Sequence, residues 1–249
     1  MRVGAGRRAR AANGLGNPYL DPAYVSWLKS TYFGLWYRRY MLGHWCFAEG
    51  AVFDMFDEQQ HVVDILPPIT QWLCLAVDYG TTNPLDAVLL GLGVDSCLYA
   101  VAEWRWDSRL EGRQLTDAEY SRKLREWLRT VKIPASSLRG PAPKCMVIDP
   151  SATSFKVQAW QDGWTVTDGV NAVADGIRLV STLLALGRLK IDRSCKSLLD
   201  EIPGYSWSEA HAERGEDVPV KVDDHAVDAL RYGIATTRAM WQQWIPVAA

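Results

Sequence analysis

WLCLAVDYGTTNPLDAVLLGLGVDSCLYAVAEW, residues Trp72 to Trp104, carries three apolar runs in close succession: Trp72–Val77, Ala87–Leu92 and Leu98–Trp104. Turn-forming residues separate them, with Gly80, Asn83 and Pro84 in the first gap and Gly93 and Asp95 in the second. Gaps this short join neighbouring strands, so the segment predicts an antiparallel meander. Downstream, Thr116 with Glu119 reads as a capping box, opening a helix whose apolar face is Tyr120, Leu124, Trp127, Leu128 and Val131. A buried strand, Cys145–Ile148, follows a loop containing Pro134, Pro141 and Pro143. Helical patterns then cover about 151–160 and 174–186, with a strand near 164–167 between them. A further helix spans about 194–201 and is expected to end before Pro203; the last begins near Asp223. The order predicts a mixed α/β sheet, antiparallel in its first three strands and parallel afterwards, with helices on both faces.

At 249 residues the chain can bury a substantial core. Its 27 Lys and Arg against 29 Asp and Glu give a formal net charge of −2, which argues against a generic nucleic-acid coat protein but not against an enzyme with one DNA-binding face. Cys46, Cys74, Cys97, Cys145 and Cys195 are far apart, show no zinc or redox spacing, and read as reduced thiols of a cytoplasmic protein. Neither a signal peptide nor an apolar run long enough to span a membrane is visible. Four regions are expected: a flexible basic N-terminus at 1–18, an aromatic arm at 19–66, a compact domain at 67–241 beginning after Pro67 and Pro68, and a tail at 242–249. Basic residues cluster at Arg7, Arg8 and Arg10, at Arg38 and Arg39, and at Arg122, Lys123, Arg125, Arg129 and Lys132. The last group reads first as a solvated helix face and second as a phosphate track.

The chemistry concentrates in DDHAVDALRY, Asp223 to Tyr232. On a helix, residues three and four apart share a face, so Asp224 aligns with Asp228 and His225 also reaches Asp228. Helix capping accounts for Asp223 and serves equally for Asp224, but it leaves Asp228 unexplained, a full turn further in. Asp78 and Asp149 each end an apolar strand, where α/β folds build their sites, although either alone reads as a turn-forming aspartate. Together with Asp228 they describe a carboxylate cluster without His or Cys ligands. Oxygen-only ligation favours Mg²⁺ or Mn²⁺, and two such ions sharing carboxylates suit phosphodiester hydrolysis.

The order AVDYG (76–80), MVIDPSA (146–152) and KVDDHAVDALRY (221–232) resembles the nuclease domain of the large terminase subunit of tailed bacteriophages. The segment NPYLDPAYVSWLKSTYFGLWYRRYMLGHWCFAEGAVFDMF (17–56) is similar to the part joining that family's ATPase motor to its nuclease. The resemblance implies a ribonuclease H-like fold and a metal-dependent endonuclease acting on double-stranded DNA during genome packaging. It implies that Asp78 bridges two ions, Asp149 binds one from the adjacent strand, and Asp228 completes the cluster. It further implies Asp224 as a ligand or an acid behind the ligands, His225 as a group orienting water or a metal-bound atom, and Asp223 as a cap. Glu103 is a possible fourth acid, or an exposed strand end; Ser151 and Thr153 contact phosphate or cap their helix. The implied partners are the small terminase subunit, the portal protein and an ATPase motor in cis or trans, in the host cell cytoplasm and away from membranes. No Gly-Lys-Ser or Gly-Lys-Thr of a phosphate-binding motor loop occurs in this sequence.

Three rival readings stand beside this one. A Holliday-junction resolvase or transposase-like nuclease would use the same acids, with a preference for branched DNA. VDYGTTN (77–83) resembles the first phosphate loop of sugar-kinase and actin-like ATPases, but Pro150 and Ser151 follow Asp149 where that family needs a second glycine-rich loop. A catalytically silent DNA- or motor-docking module would use its acids only to cap and solvate.

Overall fold

Seven strands, β1 (Val62–Val63), β2 (Ile69–Asp78), β3 (Leu85–Gly93), β4 (Leu98–Trp106), β5 (Cys145–Ile148), β6 (Val166–Asp168) and β7 (Leu189–Asp192), form one sheet in the order β1-β7-β4-β3-β2-β5-β6. The structure, a computed structural model, describes residues 19–42, 48–80, 83–132 and 141–247. Its helices are α1 (Pro22–Thr31), α2 (Gly34–Trp36), α3 (Glu58–His61), α4 (Asp117–Thr130), α5 (Thr153–Gln161), α6 (Val173–Ala185), α7 (Lys196–Gly204), α8 (Glu209–Ala212), α9 (His225–Thr236) and α10 (Arg238–Trp241). A π-helical turn, Tyr37–Met41, continues α2.

The meander is present: β2 pairs antiparallel with β3, and β3 with β4. The parallel additions are β5 beside β2, β6 beside β5, β7 beside β4, and β1 beside β7. The mixed sheet expected from the sequence is therefore the sheet observed. Sequence periodicity reveals neither the two-residue β1 nor, with more consequence for the sheet, β7. It runs parallel to β4 after the α6 crossover, and four residues are too few for alternation to stand out. Pro203 does not stop α7 but sits in its last turn, where Tyr205 N–H still reaches Glu201 O at 2.9 Å. The helix expected from Asp223 onward starts at His225 as α9, because Asp223 adopts φ 47°, and it ends at Thr236, with α10 following.

Alternation along the strands sorts the core onto two faces. Cys74, Ala76, Val88, Leu90 and Val147 pack with α6, α7 and α9. Leu75, Val77, Leu89, Met146 and Ile148 pack with α4 and α5 on the other side. α9 lies very close to the sheet at Gly233, where an added Cβ would stand 2.5 Å from Leu90 Cδ1 and 2.7 Å from Ala76 Cβ. The capping box is formed as read: Glu119 N–H donates to Thr116 Oγ1, and the Glu119 carboxylate accepts from Thr116 N–H at 2.9 Å. Cys74, Cys97, Cys145 and Cys195 are buried and free, while Cys46 lies outside the described residues.

Residues 48–63, read from the sequence as arm, join the core before the paired prolines. Val52 N–H donates to Tyr205 O at 2.8 Å and Phe53 stacks on Tyr205. His61, fully buried, places Nε2 2.8 Å from Leu184 O. Further out, Arg39 pairs with Asp217. Tyr24 and Trp27 stack on one another and stay about half exposed. The expected basic N-terminus at 1–18, with Arg7, Arg8 and Arg10, lies outside the described residues. Among the described residues, no helix is long and apolar enough to cross a membrane.

Candidate active site

Strand alternation aims the acids of two adjacent strands, β2 and β5, at α9. Asp78 ends β2 two residues beyond Ala76, on the α9 face, with Asp86 of β3 as its cross-strand partner. Asp149 follows β5, and its N–H bonds to Val77 O at 3.3 Å, so it is held beside Asp78. The first turn of α9 supplies His225 and Asp228, with Asp224 at the N-cap position. Asp78, Asp149, Asp223, Asp224, His225 and Asp228 all line one cleft of about 650 Å³, together with Arg105, Arg109, Lys221 and Tyr232. Residues far apart in the chain are thus brought together at one end of the sheet.

The α9 end is fixed by a group that sequence reading does not single out. Asp224 makes no side-chain capping bond. Glu201 of α7 caps the helix instead, its Oε2 accepting from Ala226 N–H at 2.7 Å and Val227 N–H at 3.1 Å. Its Oε1 accepts from Arg105 Nη1 at 2.8 Å, and the same nitrogen donates to Asp86 Oδ2 at 2.8 Å. Burial raises the Glu201 carboxyl, with Arg105 working against it. Burial raises that of Asp86 further, again opposed by Arg105. A cap supplied from 25 positions away leaves no local pattern. Glu103 proves to be another cap: its carboxylate accepts from Ser197 N–H at 3.1 Å and Leu198 N–H at 3.0 Å at the start of α7.

The acids differ in what neutralises them. Asp78 Oδ2 lies 2.8 Å from His225 Nδ1. Burial lifts the Asp78 carboxyl above its usual range, the His225 hydrogen bond opposes this, and the neighbouring Asp228 and Asp149 reinforce it. His225 in turn titrates above its ordinary value, chiefly because it bonds to Asp78. Asp149 accepts from Ser151 N–H at 2.7 Å and from the Tyr232 hydroxyl at 3.3 Å, both neutral donors. Asp228 is held by cations on both oxygens. Oδ1 accepts from Arg231 Nε at 3.2 Å and Nη2 at 3.1 Å, while Oδ2 accepts from Lys221 Nζ at 2.7 Å. The same ammonium is 3.0 Å from Asp224 Oδ2, an oxygen buried without a hydrogen bond. Burial works to lower the Lys221 pKa, but Asp228 and Asp224 outweigh it and leave it raised.

An all-oxygen set of this kind suits a hard divalent ion, and among the described residues Asp78 and Asp149 line the cleft without a lysine or arginine partner. Among the described residues, no three His, Cys, Asp or Glu side chains are gathered closely enough to hold a metal as they stand. On the α9 side Lys221 occupies the space between the two acids. Lys221 opens the stretch KVDDHAVDALRY, but nothing in its position marks it as part of the site.

The basic residues of α4 do not reach this cleft, since α4 packs on the opposite face of the sheet. Arg122 pairs with Glu126, Lys123 lies over the Trp106 ring, and Arg125 donates to Asp162 O and stacks on Trp164. Arg129 is on the same helix, exposed, near a separate groove lined by Pro141 and Trp164.

No family model matches the chain. It is 22% identical over 230 residues to the large terminase subunit of Escherichia phage T5, a match covering 88% of this chain and 49% of that protein. The large terminase of a thermophilic bacteriophage, solved in complex with ADP, is 38% identical with a TM-score of 0.78, over 87% of this chain and 52% of that one. The nuclease domain of the P22 large terminase superposes at a TM-score of 0.57 with 18% identity, over 80% of this chain and 98% of that one. The chain thus spans about half the length of the first two relatives, and nearly all of the P22 nuclease domain superposes on it. The resemblance read from the sequence is thus met by a sequence likeness to large terminase subunits and by a fold shared with the P22 large terminase nuclease domain.

Proposed function

We propose that this chain is the nuclease part of a phage DNA-packaging terminase and hydrolyses phosphodiester bonds of double-stranded DNA concatemers with Mg²⁺ or Mn²⁺. The observation that carries this reading is the convergence of Asp78 and Asp149 from adjacent strand ends with Asp224 and Asp228 of α9 on one cleft. In this reading residues 67–241 form the nuclease, with 48–63 and Ile245 packed into its core, while the rest of 19–66 leads to an ATPase motor in cis or trans, 1–18 are a basic extension and 242–249 a tail. The small terminase subunit and the portal protein choose where and when cutting occurs, in the cytoplasm of the host.

Asp78, Asp149, Asp224 and Asp228 would hold the divalent ions. Bound there, such ions supply Lewis acidity at the scissile phosphate and lower the pKa of an attacking water. The protein's own groups do the rest. His225, fixed by Asp78, presents its other ring nitrogen for orienting water, and Tyr232 and the Ser151 N–H hold the Asp149 carboxylate. Arg105, Arg109 and Lys221 place positive charge on the cleft for backbone phosphates, which position DNA without reading its sequence.

Cleavage of supercoiled and linear plasmid with Mg²⁺, Mn²⁺ or EDTA tests the reading, comparing the wild type with Asp149→Ala and Asp228→Asn. Metal-dependent cutting lost in both variants is expected. Equal behaviour of all three proteins, with no ion bound in calorimetry, would leave a docking module. Preference for four-way junctions over linear duplex would point to a resolvase.

A further inference from the structure

We infer that Lys221 is an internal counter-cation of this cleft, occupying the position between Asp224 and Asp228 and yielding it only to a divalent ion that displaces it. The inference rests on the nuclease reading and adds to it a rule for filling the site. Asp228 Oδ1 is committed to Arg231, a fully buried residue, so Oδ2 is the oxygen left for an incoming ion. Lys221 Nζ already stands 2.7 Å from that oxygen and 3.0 Å from Asp224 Oδ2. A divalent ion binds carboxylate oxygens at roughly 2.0–2.2 Å. It cannot share that oxygen's open side with an ammonium at hydrogen-bond distance. Like charge adds to the steric conflict.

Lys221 is also placed to leave. Its side chain is 53% exposed, and it sits in irregular backbone before α9, two residues from Asp223 at φ 47°. His225 Nδ1 holds Asp78 Oδ2, but among the described residues no lysine or arginine is bound to Asp78 or Asp149. The two halves should therefore fill in order, the strand half first.

Mn²⁺ titration by calorimetry of the whole chain, with electron paramagnetic resonance to detect spin-coupled ion pairs, decides the matter. Lys221→Met keeps the side chain's length and removes its charge. The wild type is expected to bind one ion before a weaker second. Lys221→Met should bind the second at least about tenfold tighter, about 1.4 kcal/mol, and show the coupled signal at lower Mn²⁺. Adding Asp224→Asn to Lys221→Met should abolish the gain. Identical stoichiometry and affinity in the wild type and Lys221→Met would overturn the inference and leave the nuclease reading intact. Absence of Mn²⁺ binding in both would overturn the two together.

Discussion

The strand half and the helix half of the cleft carry acids of one kind in opposite electrostatic settings. Asp78 and Asp149 extend from the ends of adjacent buried strands, and their partners are an imidazole, a phenol and a backbone N–H. Asp224 and Asp228 belong to the start of a helix and are matched by Lys221 and Arg231. Carboxylates without a permanent cation are poised to take one, whereas carboxylates already paired are part of what holds the fold together. The same substitution should therefore read mainly as lost chemistry in one half and lost stability in the other.

The largest effect is expected in the strand half. Under the proposed function, Asp149→Ala would remove a ligand whose ion would supply several kcal/mol of charge stabilisation. Single-turnover plasmid cleavage should fall roughly 10³-fold, while the thermal midpoint without metal stays close to that of the wild type. A large drop in that midpoint would erase the contrast between the halves. In the helix half, Asp228→Ala strands Arg231, which is fully buried and whose Nη1 already lacks a hydrogen-bond partner. Denaturant melts should show a loss of about 3–5 kcal/mol, as when one partner of a buried pair is deleted. Asp228→Asn, which still accepts from Arg231, should cost clearly less.

Gly233→Ala sharpens the comparison by separating the halves without touching an acid. The new Cβ would collide with Leu90 and Ala76 and push α9 off the sheet. About 1–3 kcal/mol of overpacking strain is expected, with Mn²⁺ affinity falling in step. Unchanged affinity would mean that the acids tolerate a displaced helix.

The smallest effect concerns pH. His225 has a folded pKa above its ordinary value of 6.5, owing first to Asp78. A raised folded pKa contributes stability that is complete below the unfolded value and lost as pH rises through the folded one. The metal-free protein should lose some stability as pH rises from about 6.5, and His225→Gln should flatten that slope. A slope that survives the substitution would assign it to another group.

Much of this is legible in the sequence because the signals are local. Strand alternation, the Thr116–Glu119 box and the spacing of Asp224 and Asp228 each act within a few residues, and the apolar runs that end in Asp78 and Asp149 display their acids plainly. What escapes depends on distance. β7 is defined by pairing with β4 more than by its own four residues. Glu201 acts as a cap only because α7 delivers it to α9. Pro203 reads as a stop, yet a proline in the last turn forfeits one bond that the tertiary contacts of α7 outweigh. The α4 cations look like a track, but most already have protein partners on the far face of the sheet.

Glu201 also ties the timing of the cleft to the completion of the chain. Its carboxylate touches Arg105 of β4 and the backbone of α9, and through Arg105 it reaches Asp86 of β3. Contacts of such long sequence separation form late, after the intervening segments have closed. A chain still emerging from the ribosome, long past Asp149 but short of Asp228, owns half of its acids and no means of aligning the rest. Assembly of the cleft thus reports that the whole domain has folded.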